Sequence, residues 1–382
     1  MNVGYITTYD PNDINKWSGL GVHMRNALTQ SGATVQNVGP LEFREPIYVR
    51  ARRLLHTRIR GKGYEPDRDP AVVRNFSRQV DARLARMKVD VALSPGALAI
   101  AFCKTETPLA LWADATFAGL LELYPGFARM SAASINNGHT VERAAIHRCS
   151  LLIYASEWAA RSAIERYAAD RKKIRVIPFG ANLERKSTLI DVMERINARP
   201  RRPCRLVFLG ADWQRKGGPL AVAVTRKLNQ RNIPTQLHVI GCNPSIGGED
   251  LPYVVIHGFI DKSTQNGAVA IETILDSSHF MILPARGECF GIAFAEASSC
   301  GVPSLATRAG GIPSAVRDGQ NGKLFGLDAT AEDYAHFIGN MMADPEAYLK
   351  LALSSFAEFE QRMNWRTIGA TLYRLLESIK KK

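Results

Sequence analysis

The chain has 382 residues, too many for one compact core, so two domains are the first expectation. With 46% apolar and 22% charged residues, and 30 Gly and 19 Pro near ordinary frequencies, it is neither disordered nor collagen-like nor of low complexity. Its 49 Lys and Arg against 36 Asp and Glu leave a formal charge of +13, which favours anionic partners: nucleic acid, phosphorylated ligands or an acidic lipid surface. Along the chain, short apolar runs alternate with helical patterns, the signature of a parallel α/β sheet. In the first half, Val3–Thr8, Val89–Ser94, Leu151–Ala155 and Arg175–Phe179 read as strands, with helices near 22–31, 70–87, 129–148 and 157–168. The stretch from Leu183 to Pro203 closes on Arg199-Pro200-Arg201-Arg202-Pro203. Such prolines do not fit a central strand, so a loop or domain joint is expected there. The pattern then restarts, with strands expected at Arg205–Leu209, Gln236–Ile240, Val254–His257, Phe280–Leu283 and Ser304–Thr307. Helices are expected near 217–230, 264–276, 291–300 and 331–343, and the last segment, Trp365–Lys380, is helical by pattern.

These elements predict two doubly wound domains, residues 1–180 and 181–364, with the helix of about 365–382 after them. Two such sheets facing each other would put their C-terminal strand ends, where ligands bind, around one interdomain cleft. Six scattered cysteines, with no C-x-x-C pair and no His at zinc spacing, read as reduced cytosolic thiols and not as a disulfide framework or metal site. The start, Met1 to Asp10, has neither the basic nor the long apolar region of a signal peptide. A mostly apolar stretch, Val91 to Cys103, falls short of the roughly 20 residues a spanning helix needs. A cytoplasmic chain, soluble or peripheral to a membrane, is expected.

The chemistry concentrates in Leu283-Pro284-Ala285-Arg286-Gly287-Glu288-Cys289-Phe290-Gly291-Ile292-Ala293-Phe294-Ala295-Glu296-Ala297. A strand ends at Pro284, a short loop follows, and a helix begins near Gly291. That helix start offers backbone N–H groups around Phe290–Ala293, suited to phosphate. Glu288 and Glu296 repel phosphate but suit hydrogen bonds from sugar hydroxyls. Taken alone, Glu-x7-Glu reads most simply as a surface Glu followed by a solvated helix. Its neighbours change that reading. Arg286 to Gly291 followed by Glu296, then Gly301-Val302-Pro303 and Gly310-Gly311-Ile312-Pro313, closely resembles the donor-site signature of glycosyltransferase family 4. Gly210-Ala211-Asp212-Trp213-Gln214-Arg215-Lys216-Gly217-Gly218 looks like that family's Arg/Lys loop, and Val176 to Asn182 like the segment entering its hinge. The likeness runs from about 175 to 325. It is looser in the first domain, where the usual second glycine of the Gly-Gly loop is displaced.

The resemblance implies the GT-B architecture, with residues 1–180 on the acceptor side, 181–364 binding the donor and the helix of about 365–382 packing back on the first domain. It also implies a retaining hexosyltransferase that uses a UDP- or GDP-sugar as substrate, with no cofactor and no metal. Within it, Arg215 and Lys216 neutralise the donor diphosphate, and two cations there would stabilise the charge that grows as the glycosidic bond breaks. Glu296 accepts from ribose hydroxyls and Glu288 from the transferred sugar. Cys289, Phe290, Gly291 and Ile292 carry the amides that serve phosphates and sugar. Phe259 and Ile260 would flank the base, or form a buried apolar turn. In the first domain, Lys16-Trp17-Ser18-Gly19-Leu20-Gly21 resembles a glycine loop facing the donor phosphates; Gly19 and Gly21 suit anion approach, or mark a plain turn. Asp114, in Trp112 to Phe117, stands where many members carry a His. It reads equally as a group orienting an acceptor hydroxyl and as the cap of the next helix. His23, His139 and His147 read as helix-surface or packing residues.

Two enzyme alternatives share this architecture, a nucleotide-sugar epimerase and a phosphorylase. A basic nucleic-acid-binding protein is a remote third, since no helix-turn-helix, zinc-finger or RNP-type aromatic motif appears. The acceptor is a glycan, a lipid-linked compound or a small molecule. Of the charged residues before position 181, 25 are basic and 16 acidic. From Arg44 to Lys62 seven basic residues and one Glu are interleaved with Ile47, Tyr48, Val49, Leu54, Leu55 and Ile59. That mixture suits peripheral contact with an anionic membrane, and equally a solvated loop or a channel for an acidic acceptor.

Overall fold

The computed structural model describes residues 1–183 and 187–381, the side chains of Pro125 and Ala128 excepted. Glu184, Arg185 and Lys186, inside the expected joint, and Lys382 lie outside the described residues. The chain divides into two units, Met1–Pro178 with Trp365–Lys382, and Phe179–Asn364.

In the first unit the strands are β1 (Asn2–Tyr5), β2 (Thr34–Asn37), β3 (Val91–Ser94), β4 (Leu109–Ala113), β5 (Leu151–Tyr154) and β6 (Ile174–Val176). They form one parallel sheet in the order β2-β1-β3-β4-β5-β6. Strands β3, β4 and β5 are buried at every residue, which is why β3 and β5 read as apolar runs; β4 was not among the expected strands. The helices are α1 (Leu20–Gln30), α2 (Ile47–Leu54), α3 (Pro70–Leu84), α4 (Phe117–Leu123), α5 (Ala132–Arg148) and α6 (Glu157–Tyr167). Asp69, Thr116, Ser131 and Ser156 cap α3, α4, α5 and α6 by accepting from a backbone N–H of the first turn.

The second unit opens with α7 (Leu189–Asn197), in the stretch expected to be a loop. The capping box of Thr188 and Asp191 starts this helix, and Val192 and Ile196 bury its inner face, so the proline-rich tail ends the helix but does not preclude it. Strands β7 (Cys204–Leu209), β8 (Thr235–Ile240), β9 (Val254–Gly258), β10 (Phe280–Leu283), β11 (Ser304–Thr307) and β12 (Gly322–Phe325) follow. Their parallel order is β12-β11-β10-β7-β8-β9. Between them run α8 (Gly218–Gln230), α9 (Gln265–Asp276), α10 (Ile292–Ser299) and α11 (Ile312–Ala315). After β12 come α12 (Ala331–Ala343) and α13 (Pro345–Glu358). The last helix, α14 (Trp365–Ser378), lies on α1 in the first unit: a Cβ on Gly369 would collide with the Ala27 carbonyl oxygen.

The order in the second unit is that of the dinucleotide-binding fold, with its reversal between β7 and β10. In open α/β sheets the ligand crevice lies outside the carboxyl ends of the strands at that reversal. The loops leaving β7 and β10 therefore set the site.

Candidate donor-binding site

The loop after β7 is packed tightly against the end of β10. Gly217 has φ +80°, and a Cβ there would collide with the Pro284 carbonyl oxygen. A Cβ on Gly218 would enter the Trp213 ring, and the stem of Lys216 lies over Gly210. Across the gap, the Arg286 N–H donates to the Arg215 carbonyl at 3.0 Å. Only glycine backbone lets two loops approach so closely at these points.

The side chains of this loop converge on Glu288. Arg215 Nη1 donates to the Gly287 carbonyl at 2.8 Å and to Glu288 Oε1 at 3.2 Å. Lys216 Nζ reaches the same oxygen at 2.9 Å. Asp212 holds the arginine from behind, at 3.2 Å from its Nε. Glu288 is only 7% exposed, and its own carbonyl accepts from Gly311 N–H at 2.8 Å, which ties the loop after β11 into the cluster. Sharing one carboxylate fixes both cations at the reversal point, where each keeps partial access to solvent.

Helix α10 begins beside them. Its N-cap, Gly291, has φ +86° and ψ +77°, and a Cβ there would meet the Phe294 ring at 2.6 Å. Cys289 and Phe290 are buried, and Phe290 packs edge-on against Phe179, ring centroids 5.5 Å apart. The first N–H groups of a helix lack intrahelical partners and carry the positive end of its dipole, so Ile292 and Ala293 present donors for an anion. Two fixed cations next to a helix start form an arrangement that suits an anion.

Glu296, in the second turn of α10, is 3% exposed and is not the solvated helix residue of the simpler reading. Lys262 Nζ donates to its Oε1 at 2.6 Å. Sequence reasoning missed Lys262. Its only signal was position, directly beyond β9 among turn residues and before the Thr264 cap of α9. Phe259, in the same loop, is 78% exposed, which rules out its part in a buried apolar turn; Ile260 is half-buried.

In the first unit Trp17, Ser18 and Gly19 are successive left-handed residues, with φ +49°, +55° and +81°. Gly21 lets Tyr9 approach and gives its carbonyl to the Tyr5 hydroxyl at 2.8 Å. Asp114 accepts from the Trp17 indole N–H at 3.2 Å. The cap of α4 is Thr116, so the expectation that Asp114 caps that helix is corrected: the carboxylate sits two residues too early and turns to the indole. His23 stacks on Trp365 and His139 pairs with the Tyr167 hydroxyl at 2.9 Å, both packing roles, while His147 is exposed.

Residues 187–344, which hold Arg215, Lys216, Lys262, Glu288 and Glu296, match the family model described as glycosyl transferases group 1. Most of the second unit is thus similar to group 1 glycosyl transferases. A D-inositol 3-phosphate glycosyltransferase of Corynebacterium jeikeium is 28% identical over 259 residues, 62% of this chain and 59% of that protein. A GDP-mannose-dependent alpha-(1-6)-phosphatidylinositol monomannoside mannosyltransferase of Mycolicibacterium smegmatis is 29% identical over 182 residues, 45% of this chain and 47% of that one. The chain thus spans about half to three-fifths of the length of these relatives. The fold of sucrose-phosphate synthase from Thermosynechococcus elongatus covers 99% of this chain and 98% of its own, with TM-score 0.70 at 18% identity. Anabaena HepE, solved with UDP-glucose, covers 99% of this chain and 100% of its own with TM-score 0.60 at 16% identity. The chain shares with these structures the GT-B fold, here two six-stranded parallel sheets.

Proposed function

We propose that the chain is a retaining hexosyltransferase of glycosyltransferase family 4 that moves a sugar from a UDP- or GDP-sugar to an acceptor hydroxyl. The observation that carries this reading is the pair Arg215 and Lys216, both held on Glu288 beside the start of α10 at the reversal of the sheet. A nucleoside diphosphate is the leaving group such a site fits. Its β-phosphate would lie against the two cations and the N–H groups of Ile292 and Ala293, which makes a metal unnecessary for neutralising it. Glu296 would take the ribose hydroxyls, with Lys262 as its counter-ion, and exposed Phe259 would flank the base.

In the transfer, the acceptor oxygen attacks the anomeric carbon on the face the diphosphate leaves. The bond from that carbon to the β-phosphate oxygen breaks, and the departing oxygen takes the proton of the acceptor hydroxyl. Glu288 stands where its carboxylate can accept from the sugar hydroxyls and stabilise positive charge on the ring. Gly19 and Gly21 would face the donor phosphates from the first unit. Asp114 would orient the acceptor through the Trp17 loop it holds. The two relatives' names point to an inositol-type or lipid-linked acceptor, and the scattered cysteines to a cytoplasmic location. Incubating the protein with a panel of nucleotide sugars and measuring slow donor hydrolysis tests the reading. Release of a nucleoside diphosphate with the sugar's anomeric configuration retained supports it; no hydrolysis of any UDP- or GDP-sugar opposes it.

A further inference from the structure

Helix α2 presents an apolar face to solvent. Its continuation, Leu55–Ile59, is a wider helical turn. Ile47, Ala51 and Leu54, at i, i+4 and i+7, share the face opposite buried Val49 and His56. Ile47 is 86% exposed and Ile59 76%, with Tyr48, Leu54 and Leu55 also exposed. An amphipathic helix normally turns such a stripe inward. Here the inner face is short and firmly held: His56 stacks on Tyr64 at 5.4 Å, Arg52 pairs with Asp69 at 2.9 Å, and Arg53 with Glu45 at 3.2 Å. The outward apolar stripe is therefore a fixed feature of the surface.

Cations surround it. Arg50, Arg58, Arg60 and Lys62 are exposed on or just beyond the same helix. At its foot a groove of about 420 Å³ opens against α3, lined by Arg44, Glu45, Tyr48, Arg74, Asn75 and Arg78. Arg44 is paired with Glu42, and Glu45 is matched by Arg50 and Arg53, while Arg74 and Arg78, one turn apart on α3, line the groove, Arg74 with its guanidinium over the Phe102 ring at 5.0 Å. Exposed apolar side chains ringed by arginines, with a basic groove alongside, match an anionic bilayer surface: acyl chains below, phosphate headgroups around. A folded partner protein would have to supply acidic groups on every side of an apolar pocket.

We propose that the first unit docks on an anionic membrane through α2, with Ile47, Leu54 and Ile59 entering the interface and a lipid phosphate seated between Arg74 and Arg78. This docking does not depend on the catalytic reading. It would bring the chain to a lipid-linked acceptor if that reading holds.

The test is co-sedimentation of the full chain with phosphatidylglycerol vesicles and with phosphatidylcholine vesicles at low salt. Binding to the first and not to the second is expected, and it should weaken as salt rises. Ile47→Ser with Leu54→Ser, both at exposed positions, should cut binding at least 10-fold while donor hydrolysis stays unchanged. Arg74→Ala with Arg78→Ala should cost about 5-fold per arginine, the factor that ~1 kcal/mol per basic residue gives. No binding to phosphatidylglycerol vesicles, or equal binding by the serine variant, overturns the proposal. So does a concentration-dependent dimer in vesicle-free solution that the serine variant abolishes, since the face would then belong to a second copy. Loss of hydrolysis with vesicle binding intact would instead count against the catalytic reading.

Discussion

One oxygen of Glu288 receives both Arg215 and Lys216, so neither cation needs to search for its place when a diphosphate arrives. Arg215→Ala and Lys216→Ala should each weaken binding of a nucleoside diphosphate by roughly 10- to 150-fold, the loss of a charge-assisted hydrogen bond. The double variant should lose less than the product of the two, because both act on one diphosphate and share Glu288. Isothermal titration reads this directly; unchanged affinity in both single variants would remove the loop from the site. Gly217→Ala should lower the unfolding free energy by at least ~1 kcal/mol, read as a lower urea midpoint, since alanine must adopt φ +80° and its Cβ collides with the Pro284 carbonyl. A wild-type midpoint would mean the two loops are not packed as described. At this scale the sequence was informative where residue types are rare in combination. Arg-Lys-Gly-Gly after a strand and Glu-x7-Glu around a glycine stand out, whereas Lys262 is one of 49 basic residues with no pattern around it.

The buried strands β3, β5, β10 and β11 and the helices α3, α5 and α6 were legible as elements, whereas the buried β4 and the capped helices α4 and α13 were not singled out. The strands Phe280–Leu283 and Ser304–Thr307 have the bounds their apolar runs suggest. Strand β2, Thr-Val-Gln-Asn, was not legible, because an edge strand exposed at both ends and only half-buried between carries no apolar run. Nor was β12, Gly-Lys-Leu-Phe, for the same want of length and alternation. Helix α7 was hidden by the Arg-Pro tail after it and by Leu189, Ile190 and Met193, apolar residues that lie exposed and so blur its amphipathic period.

Burial inside these elements also predicts opposite pH responses in the two units. In α5, burial pushes the Glu142 carboxyl up to about 7, against the pull of Arg68 and the Phe117 backbone N–H. Between about pH 4.5 and 7 the folded chain keeps a proton there that the unfolded chain has lost, so this contribution to stability declines as pH rises through that window. Beside β10, burial and then Arg199 push His279 down to about 4. Between about pH 4 and 6.5 the unfolded chain takes up that proton, so this contribution falls as pH drops. Glu142→Gln should therefore gain on the wild type as pH rises from about 5 to about 8, by up to ~3 kcal/mol. Urea unfolding at several pH values checks it, and a pH-independent difference would contradict the burial of a titrating carboxyl.

For the whole molecule, two sheets with reversals in strand order mean that each unit offers a crevice at the ends of its strands. In the second unit that crevice holds the paired cations, the start of α10 and two buried glutamates. The doubling of the α/β pattern was visible in the sequence because each half repeats the same rhythm of apolar run and helix. The return of α14 to the first unit was not visible from periodicity, since a helical pattern does not say against which surface it packs. The central claim is that this crevice binds a nucleotide sugar, with the diphosphate on Arg215 and Lys216 and the sugar on Glu288. The most direct measurement is titration of nucleoside diphosphate into Glu288→Gln and Glu296→Gln, alongside their rates of donor hydrolysis. Glu288→Gln removes the carboxylate that now occupies both cations, so its diphosphate affinity should equal or exceed the wild type while turnover falls. Glu296→Gln should weaken donor and free diphosphate nucleotide by similar, modest factors. If Glu288→Gln lost diphosphate binding yet kept its turnover at saturation, the assignment of phosphate and sugar within this site would be wrong.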